Sequence, residues 1–425
     1  MLDLMDKVSI QQLNPGMILS QDVKDPNGRL LAAAGQEISE KLIRVFKIWG
    51  VGDLRIQAVD PSLQAEAAEP EIPADIRRKA EDITSYRFQF NDLNDPFVYE
   101  LFRIAVDKKA RKLMENPDLD LFADLQPPEG VPENDAGPVK NNKINVDALI
   151  SRTLRMGTMP DIYYKTIAAI NNPEASLDDI ANIVSKDTTL SAKVLQLVNS
   201  SFYSLRQKVD TLTWALALIG TNQLMTIVSG VSAVSLFKNI PSQLINMVSF
   251  WEHSLACGTA AQLLSSHYPE RMEAERFFVA GLLHDIGRLI LVQNRAARYY
   301  EIFKLVRKEE IFLFTAEQEY FGADHAYIGA ELARYWNLPG NLVSMIRNHH
   351  FPGQENDFFE AAVINLADII VNALEIGNSG ECFVPVIEPN VCQDLNLDRD
   401  MLQSVVNEID NQLGDIFDII YGITQ

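Results

Sequence analysis

The sequence has few basic residues for its length. Lysine and arginine number 37 against 58 aspartates and glutamates in 425 residues, which gives a formal net charge of −21. Affinity for nucleic acid comes mainly from lysine and arginine contacts to phosphate, so this balance excludes a general phosphate-backbone binder. We therefore expect no nucleic-acid partner, although the net charge does not exclude a local basic patch.

Cysteine is equally scarce. The three cysteines, Cys257, Cys382 and Cys392, form no Cys-x-x-Cys pair, so neither a disulfide framework nor a zinc knuckle is indicated. The N-terminal residues include acids where a secretory signal peptide would have basic residues followed by an apolar run.

One stretch has no charged residue at all, the one between Asp210 and Lys238. Its length would suit a membrane span. However, Gly220 and the polar residues after it interrupt the stretch, which favours two buried helices joined at Gly220. We therefore expect no membrane partner and a cytoplasmic location.

Residues 1–60 predict a small α+β module. Between Val23 and Leu31 the pattern indicates strand, turn and strand, because Asn27-Gly28 tolerates the positive φ angles of a tight hairpin. A short helix from Ser39 to Gly50 and a strand over 51–56 follow.

Residues 61–143 predict a linker. Residues 61–75 are rich in Ala, Glu and Pro, which is typical of a connecting segment. Residues 76–115 have helical spacing and many charges, which predicts exposed helices. Residues 116–142 are acidic and proline-rich with little periodicity, so a flexible stretch is expected there.

From residue 144 onward the sequence predicts almost only helix, so the expected fold class is mainly α. A capping-box motif begins at Ser176, and Asp210 is expected to cap the next helix. Residues 144–375 predict one multi-helical domain, and residues 376–425 a C-terminal extension with a short strand at 382–386 and a last amphipathic helix. The expected core includes Leu195, Leu218, Leu282 and Leu332.

Titratable side chains are concentrated in this helical part. Five of the six histidines lie in apolar, helix-forming stretches: His253, His284, His325, His349 and His350. Asp285 follows His284 directly in GLLHDIGRLIL, and Asp368 is the single acid in VINLADIIVN. The sixth histidine, His267, stands beside a proline and is expected at the surface.

Each of these residues, taken singly, is more often a hydrogen-bonded core residue than a ligand. Together they are hard to bury separately, and a shared metal would satisfy all of them. Imidazole and carboxylate suit Fe, Mn, Zn or Ni, and Asp285 is placed to bridge two ions. Bound ions would lower the pKa of a water and produce a hydroxide nucleophile. The alternative is a buried hydrogen-bond network in which His284 and Asp285 pair with backbone groups.

The order His, His-Asp, Asp resembles the HD superfamily of metal-dependent phosphohydrolases. The residues that match its metal ligands are His253, His284, Asp285 and Asp368. The further histidines, His325, His349 and His350, are similar to the second set of ligands in the binuclear HD-GYP phosphodiesterases, which cleave cyclic di-GMP. The resemblance implies a binuclear divalent metal cofactor.

Arg288 follows one helical turn after His284, where that family usually has a lysine that touches the phosphate. An arginine can also grip phosphate. The resemblance therefore implies Asp285 and Arg288 as catalytic residues; an ion pair between Arg288 and a surface acid is the alternative. The Gly-Tyr-Pro signature is missing after His350, and Ser249 stands where some HD-GYP enzymes place a glutamate ligand. Cleavage of cyclic di-GMP is therefore not expected.

A closer resemblance is to the HDOD branch of the superfamily. It rests on NIVSKDTTLSAKVLQLVNSSFYSLRQKVDTLTWALALIG (182–220), AGLLHDIGRL and DHAYIGAELARYWNLP, and it covers about residues 145–370. In addition, residues 13–39 resemble a small module found ahead of HD-GYP and HDOD domains in bacterial signalling proteins.

The HDOD resemblance implies a bacterial-type signal-transduction protein that acts mainly through a protein partner or a nucleotide-like ligand. The intact ligand set supports an alternative, a metal-dependent phosphohydrolase acting on a nucleotide or another phosphate ester. A redox or oxygen-sensing di-iron site is a third reading. A homodimer is left open.

Overall fold

The structure, a computed structural model, describes residues 5–9, 13, 17–24, 30–36, 38, 42, 46, 53–57, 72–116, 143–156, 160–200, 207–234, 236–237, 240–268, 274–354, 358–388, 391–392 and 395–420. The predicted turn at Asn27-Gly28, most of the predicted helix over 39–50 and the acidic stretch 117–142 lie outside these residues. The chain divides into two compact units, Met1–Ile72 and Pro73–Gln425.

The first unit contains two antiparallel strand pairs. Its strands are β1 (Met5–Ser9), β2 (Val23–Lys24), β3 (Leu30–Ala32) and β4 (Asp53–Gln57). The pairs are β1 with β4 and β2 with β3, so both predicted strand regions form. The partner of β4 is the N-terminal segment, for which no strand was predicted. The core of the unit is Leu13, Leu19, Val23, Ala32, Ile38, Phe46, Leu54 and Ile56.

The second unit is built from helices, so the predicted mainly α class is confirmed. Its first half consists of α1 (Ala74–Arg87), α2 (Pro96–Glu115), α3 (Val146–Met156), α4 (Asp161–Ile170), α5 (Leu177–Val184), α6 (Thr188–Val198), α7 (Leu212–Ile219) and α8 (Thr221–Val234). The second half consists of α9 (Met247–Ser266), α10 (Ala274–Leu283), α11 (Ile286–Glu309), α12 (Leu313–Phe321), α13 (His325–Tyr335), α14 (Gly340–Asn348), α15 (Phe358–Ala373) and α16 (Arg399–Ile420).

Helices α1 and α2 differ from their prediction as exposed linker helices. Leu101 and Ala110 of α2 are fully buried, and α2 packs against α15. The many charges misled the prediction because several of them are paired rather than solvated. Lys109 Nζ lies 2.6 Å from Glu375 Oε2, and Arg87 Nη1 lies 2.9 Å from Glu375 Oε1.

The helix boundaries follow local side-chain chemistry. Ser176 forms the predicted capping box at the start of α5, with both reciprocal bonds to Asp179 present. The predicted cap of α7 by Asp210 is wrong by one residue. Thr211 caps that helix, and its hydroxyl accepts from the backbone N–H of Trp214.

The uncharged stretch after Asp210 folds as the two predicted helices. Gly220 ends α7 with a φ of +83°, a backbone conformation that glycine adopts without steric cost. Among the described helices, none is by itself long and apolar enough to cross a membrane. Residues 212–219 together with 223–234 reach that length and composition only as a pair bent by 116°.

The predicted core is confirmed at Leu282 and Leu332, whereas Leu195 is only half-buried. Leu218 is a wrong prediction, since 49% of it is exposed. Helix α7 is apolar all round, so periodicity could not tell which side faces inward. The buried side is formed by Ala215, Leu216 and Ile219.

The predicted strand at 382–386 is also absent from the described structure. This segment is irregular, and its backbone is held by α1 and the turn after it. The Val384 N–H donates to Arg87 O, and Asn91 Nδ2 donates to Val384 O. The predicted amphipathic C-terminal helix is present as α16.

Six helices of the second unit enclose its centre. Helix α9 packs against α10 and α15, α10 packs against α14 and α15, and α13 packs against α14 and α11. Because α10 and α11 are separated only by residues 284–285, the turn between them lies inside this group of helices.

Candidate metal centre

The centre is built around the turn that contains His284 and Asp285. Both side chains are fully buried. Gly287, two residues further on, lets α11 approach the start of α13, because a Cβ atom there would lie 2.0 Å from His325 O. This glycine therefore allows Asp285 and His325 to lie side by side.

The first group of ligand atoms surrounds one oxygen of Asp368. This oxygen, Oδ1, lies 3.2 Å from His253 Nε2 and 3.5 Å from His284 Nε2. Asp285 Oδ2 lies 3.3 Å from His284 Nε2 and 3.8 Å from His253 Nε2. We call the point between these four side chains position 1.

The second group lies on the other side of Asp285. Asp285 Oδ1 is 3.0 Å from His325 Nε2 and 4.0 Å from His349 Nε2. His350 Nε2 lies 2.8 Å from His325 Nε2. We call the point between these four side chains position 2. Asp285 thus turns one carboxylate oxygen toward each position.

Several polar atoms of the centre are buried without a hydrogen-bond partner. They are His284 Nε2, His349 Nε2 and both carboxylate oxygens of Asp285. Burying such atoms unsatisfied is costly, so the protein alone does not complete this network. The predicted metal ligands His253, His284, Asp285, His325, His349, His350 and Asp368 offer atoms in groups that lie within 4.8 Å of one another.

The orientation of the rings supports metal binding over a closed hydrogen-bond network. His284 Nδ1 lies 2.6 Å from Gly281 O, and His349 Nδ1 lies 2.8 Å from Ile346 O. A carbonyl accepts only from an N–H, so these contacts place the ring proton on Nδ1. In the neutral rings Nε2 then presents its lone pair to the centre, as metal-ligating histidines do.

A second layer of side chains, which the sequence analysis missed, holds the ligands. Glu317 Oε2 lies 2.5 Å from His325 Nδ1, and Tyr299 Oη donates to Glu317 Oε1 at 2.5 Å. Asn372 Nδ2 donates to Asp368 Oδ1 at 2.7 Å. The one sequence signal for Glu317 is that this acid, in FTAEQEYF, lies on the apolar side of its helix.

Arg288 lies beside the centre, but it is bound by the protein. Only 1% of it is exposed, so the surface ion pair considered above is wrong. Its Nη1 donates to Ser379 O and Oγ, and Nη2 lies 3.6 Å from Glu381 Oε2. Its Nε lies 3.1 Å from Asp285 Oδ1 in an ion pair whose geometry is not that of a hydrogen bond.

The metal-free centre divides its histidines into two electrostatic classes. Burial lowers the pKa of His284, but Asp285 and Asp368 outweigh it and raise that pKa to about 10. Burial and Arg288 lower the pKa of His325, yet Glu317 and Asp285 raise it to about 9.

The second class consists of His349 and His350, whose pKa values are lowered. Burial, together with the charges on His284 and His325, lowers the pKa of His349 to about 3. Burial and His349 likewise hold the pKa of His350 well below its usual range. The carboxyl groups stay ionised, because nearby cations overcome the effect of burial and hold the pKa of Asp285 well below its usual value.

Among the described residues, the side chains of the centre are all buried, to different degrees. His350 is its most exposed ligand, at 9%. The ring of Phe314 stacks on His350 with centroids 4.4 Å apart, and the exposed Phe351 meets Phe314 edge-on. Phe314 therefore packs on the most exposed side chain of position 2.

Removing this cover should speed metal exchange. We expect Phe314→Ala to let a chelator extract metal from position 2 about tenfold faster, because local opening then exposes His350 more often. Total metal content should stay unchanged, since Phe314 offers no ligand. Phe312→Ala is the matched control, because Phe312 stacks on Phe314 and not on His350. Equal extraction rates in both variants would show that metal leaves by another route.

Residues 156–352 match the family model of the HDOD domain. This match covers six of the seven predicted ligands, and Asp368 lies beyond its end. The chain contains an HDOD domain. The resemblance to the HDOD domain predicted from the sequence is thereby confirmed.

A relative is found in Treponema pallidum (strain Nichols), a protein whose function is uncharacterized. It is 25% identical over 182 residues, which are 43% of this chain and 35% of the relative. The match thus spans about a third of that relative's length.

Two solved structures share the fold. A candidate phosphohydrolase from Shewanella amazonensis SB2B has a TM-score of 0.51 at 22% identity and covers 64% of this chain and 98% of its own. A candidate signal transduction protein from Marinobacter aquaeolei VT8 has a TM-score of 0.51 at 17% identity and covers 99% of this chain and 96% of its own. At these identities the two likenesses show a shared fold.

Proposed function

We propose that this chain is a signal-transduction protein whose HDOD domain is held together by a binuclear metal centre. In this proposal the domain acts through binding, and its targets are a protein partner or a nucleotide-like ligand. The observation that carries the proposal is a set of metal-ligand atoms that converges from several helices and is buried.

The donor set fits two divalent ions. Position 1 would be held by His253, His284, Asp368 and Oδ2 of Asp285. Position 2 would be held by His325, His349, His350 and Oδ1 of Asp285. Imidazole and carboxylate ligands suit Fe, Mn, Zn or Ni. When bound, such ions would neutralise the buried carboxylates and could lower the pKa of a coordinated water.

Two features favour a binding role over hydrolysis. The ligands are buried, so a nucleotide could not reach them unless the domain opened. The cation expected to contact phosphate, Arg288, already contacts Ser379, Glu381 and Asp285. A centre of this kind would instead fix the mutual positions of α9, α13, α14 and α15. The surface formed by those helices would then depend on metal occupancy.

The alternative function is a metal-dependent phosphohydrolase acting on a nucleotide or another phosphate ester. It is favoured by Asp285, whose oxygens face two adjacent positions as in two-metal hydrolytic sites. In that case Asp285 would hold the ions that bind the substrate, and Arg288 would have to leave Glu381 to reach a phosphate. Cyclic di-GMP is the less expected substrate because the Gly-Tyr-Pro signature is missing.

Reconstitution separates the two functions. The full chain is freed of metal, loaded separately with Mn, Fe, Zn or Ni, and tested on bis(p-nitrophenyl) phosphate and on cyclic di-GMP. We expect about two ions per chain and no turnover above that of Asp285→Asn. Turnover that Asp285→Asn abolishes would support the phosphohydrolase instead. If the chain binds no metal and a chelator does not change its melting temperature, both proposed functions are contradicted.

A further inference from the structure

Cys257 lies inside the candidate metal centre. It follows His253 by one turn of α9, so both side chains project from the same side of that helix, and it is fully buried. Its Sγ lies 3.5 Å from His253 Nε2 and 3.9 Å from Asp368 Oδ1. With His284 Nε2, these atoms form a set in which all pairs lie within 4.8 Å.

The distances in this set are close to those around a tetrahedral ion. Zinc–nitrogen bonds of about 2.0–2.1 Å and a zinc–sulfur bond of about 2.3 Å place nitrogen and sulfur about 3.6 Å apart and two nitrogen or oxygen ligands about 3.3 Å apart. The observed nitrogen–sulfur distance is 3.5 Å, and the nitrogen–oxygen distances are 3.2 and 3.5 Å. The sulfur thus lies at the expected distance from His253 Nε2, and its 3.9 Å from Asp368 Oδ1 is about 0.3 Å longer than in such a tetrahedron.

A hydrogen bond from the thiol to Asp368 explains less of the arrangement. It would satisfy the sulfur, but it leaves His284 Nε2 buried without a partner at the same point. An ion coordinated by all four side chains satisfies that nitrogen as well. The unpartnered nitrogen is thus an independent sign of a ligand at position 1.

We infer that Cys257 is a further protein ligand of position 1, beside the four side chains that define it, and binds the metal as a thiolate. This inference rests on the metal centre proposed above and gives its two positions different roles. The S–H bond breaks on metal binding, its proton passes to solvent, and the sulfur lone pair forms the metal–sulfur bond. Besides Oδ2 of the shared Asp285, position 1 then has four protein ligands of its own, the number typical of a closed structural site. They are His253, Cys257, His284 and Asp368. Position 2 has only the three histidines of its own besides Oδ1 of Asp285, and it is the more open one.

Cobalt(II) tests the sulfur directly, because a thiolate ligand produces a sulfur-to-cobalt charge-transfer band in the near ultraviolet. The metal-free full chain is titrated with cobalt chloride, with binding followed by elemental analysis after gel filtration. We expect the band to grow with the ion that fills position 1. Cys257→Ser should remove the band and still bind cobalt through the remaining ligands. The matched control is Cys382→Ser, another buried cysteine that belongs to none of the groups of close ligand atoms found among the described residues.

Each other outcome is decisive. If the wild-type chain binds cobalt without the band, Cys257 is not a ligand, and the metal centre stands without it. If the band survives in Cys257→Ser and in Cys257→Ala, the sulfur comes from elsewhere and the inference is wrong. If no cobalt binds, both the inference and the proposed centre fail. Circular dichroism of each variant shows whether it folds, and Cys257→Ala replaces Cys257→Ser if the latter does not.

Discussion

Asp285→Asn should empty position 2 and weaken binding at position 1, reducing about two bound ions per chain to about one. Asp285 is the residue whose oxygens face both positions, and with Asp368 it supplies the negative charge that offsets two buried cations. Asparagine keeps the shape of the side chain but removes the charge. Loss of a thousandfold or more in affinity corresponds to about 4 kcal/mol less metal-dependent stabilisation, which elemental analysis and thermal unfolding would both register.

Asp324→Asn is the matched control for this variant. Asp324 is also adjacent to a ligand histidine, but its carboxylate caps α13 by accepting from the Tyr327 N–H at 2.8 Å. Asparagine caps helices as well as aspartate does, so metal content and melting temperature should change little. If Asp285→Asn keeps two ions, or if Asp324→Asn loses them equally, Asp285 is not the bridge.

The sequence was sufficient to predict which residues meet. A histidine or aspartate within an apolar helix needs a partner, and a fold that brings such residues together is more economical than one that satisfies each separately. The structure does bring His253, His284, Asp285 and Asp368 to one position and the three remaining predicted ligands to the next. The helical periodicity from residue 144 onward was likewise sufficient for the fold class.

Contacts between distant helices could not be predicted in this way. Glu317 supports His325 only because α12 and α13 fold against each other. Its place on the apolar side of α12 indicates burial but not which residue it contacts. The same applies to Ser379 and Glu381, which reach Arg288 from an irregular segment about 90 residues away. Cys257 shows no motif of its own, and only its place one turn after His253 connects it with the centre.

The charged faces of α1 and α2 were misread for a related reason. Sequence composition shows that a helix carries lysine and arginine, but not whether these have a buried acid to pair with. Glu375, at the end of α15, binds both Arg87 and Lys109. Two helices that resemble a solvated linker therefore become part of the helical unit.

The protonation of the metal-free centre sets how metal affinity depends on pH. Near neutrality His284 and His325 are protonated, because nearby carboxylates raise their pKa values to about 10 and about 9. His349 is already neutral, since burial lowers its pKa to about 3. Metal ligation requires neutral imidazole, so filling positions 1 and 2 must release one proton from each of the two charged rings.

Metal affinity should therefore rise steeply with pH and level off only as the pH passes 9–10, the pKa values of these two rings. Each proton released makes binding about tenfold tighter per pH unit, so the product of the two association constants should rise about ten-thousandfold from pH 6 to pH 8. The measurement is competition with a chromophoric chelator across that range, using Cys257→Ser so that no thiol proton contributes. Calorimetry in buffers of different ionisation enthalpy counts the protons independently. Release of fewer than one proton in total would mean that His284 and His325 are neutral before metal binds. The nearby carboxylates would then not raise the pKa values of these rings.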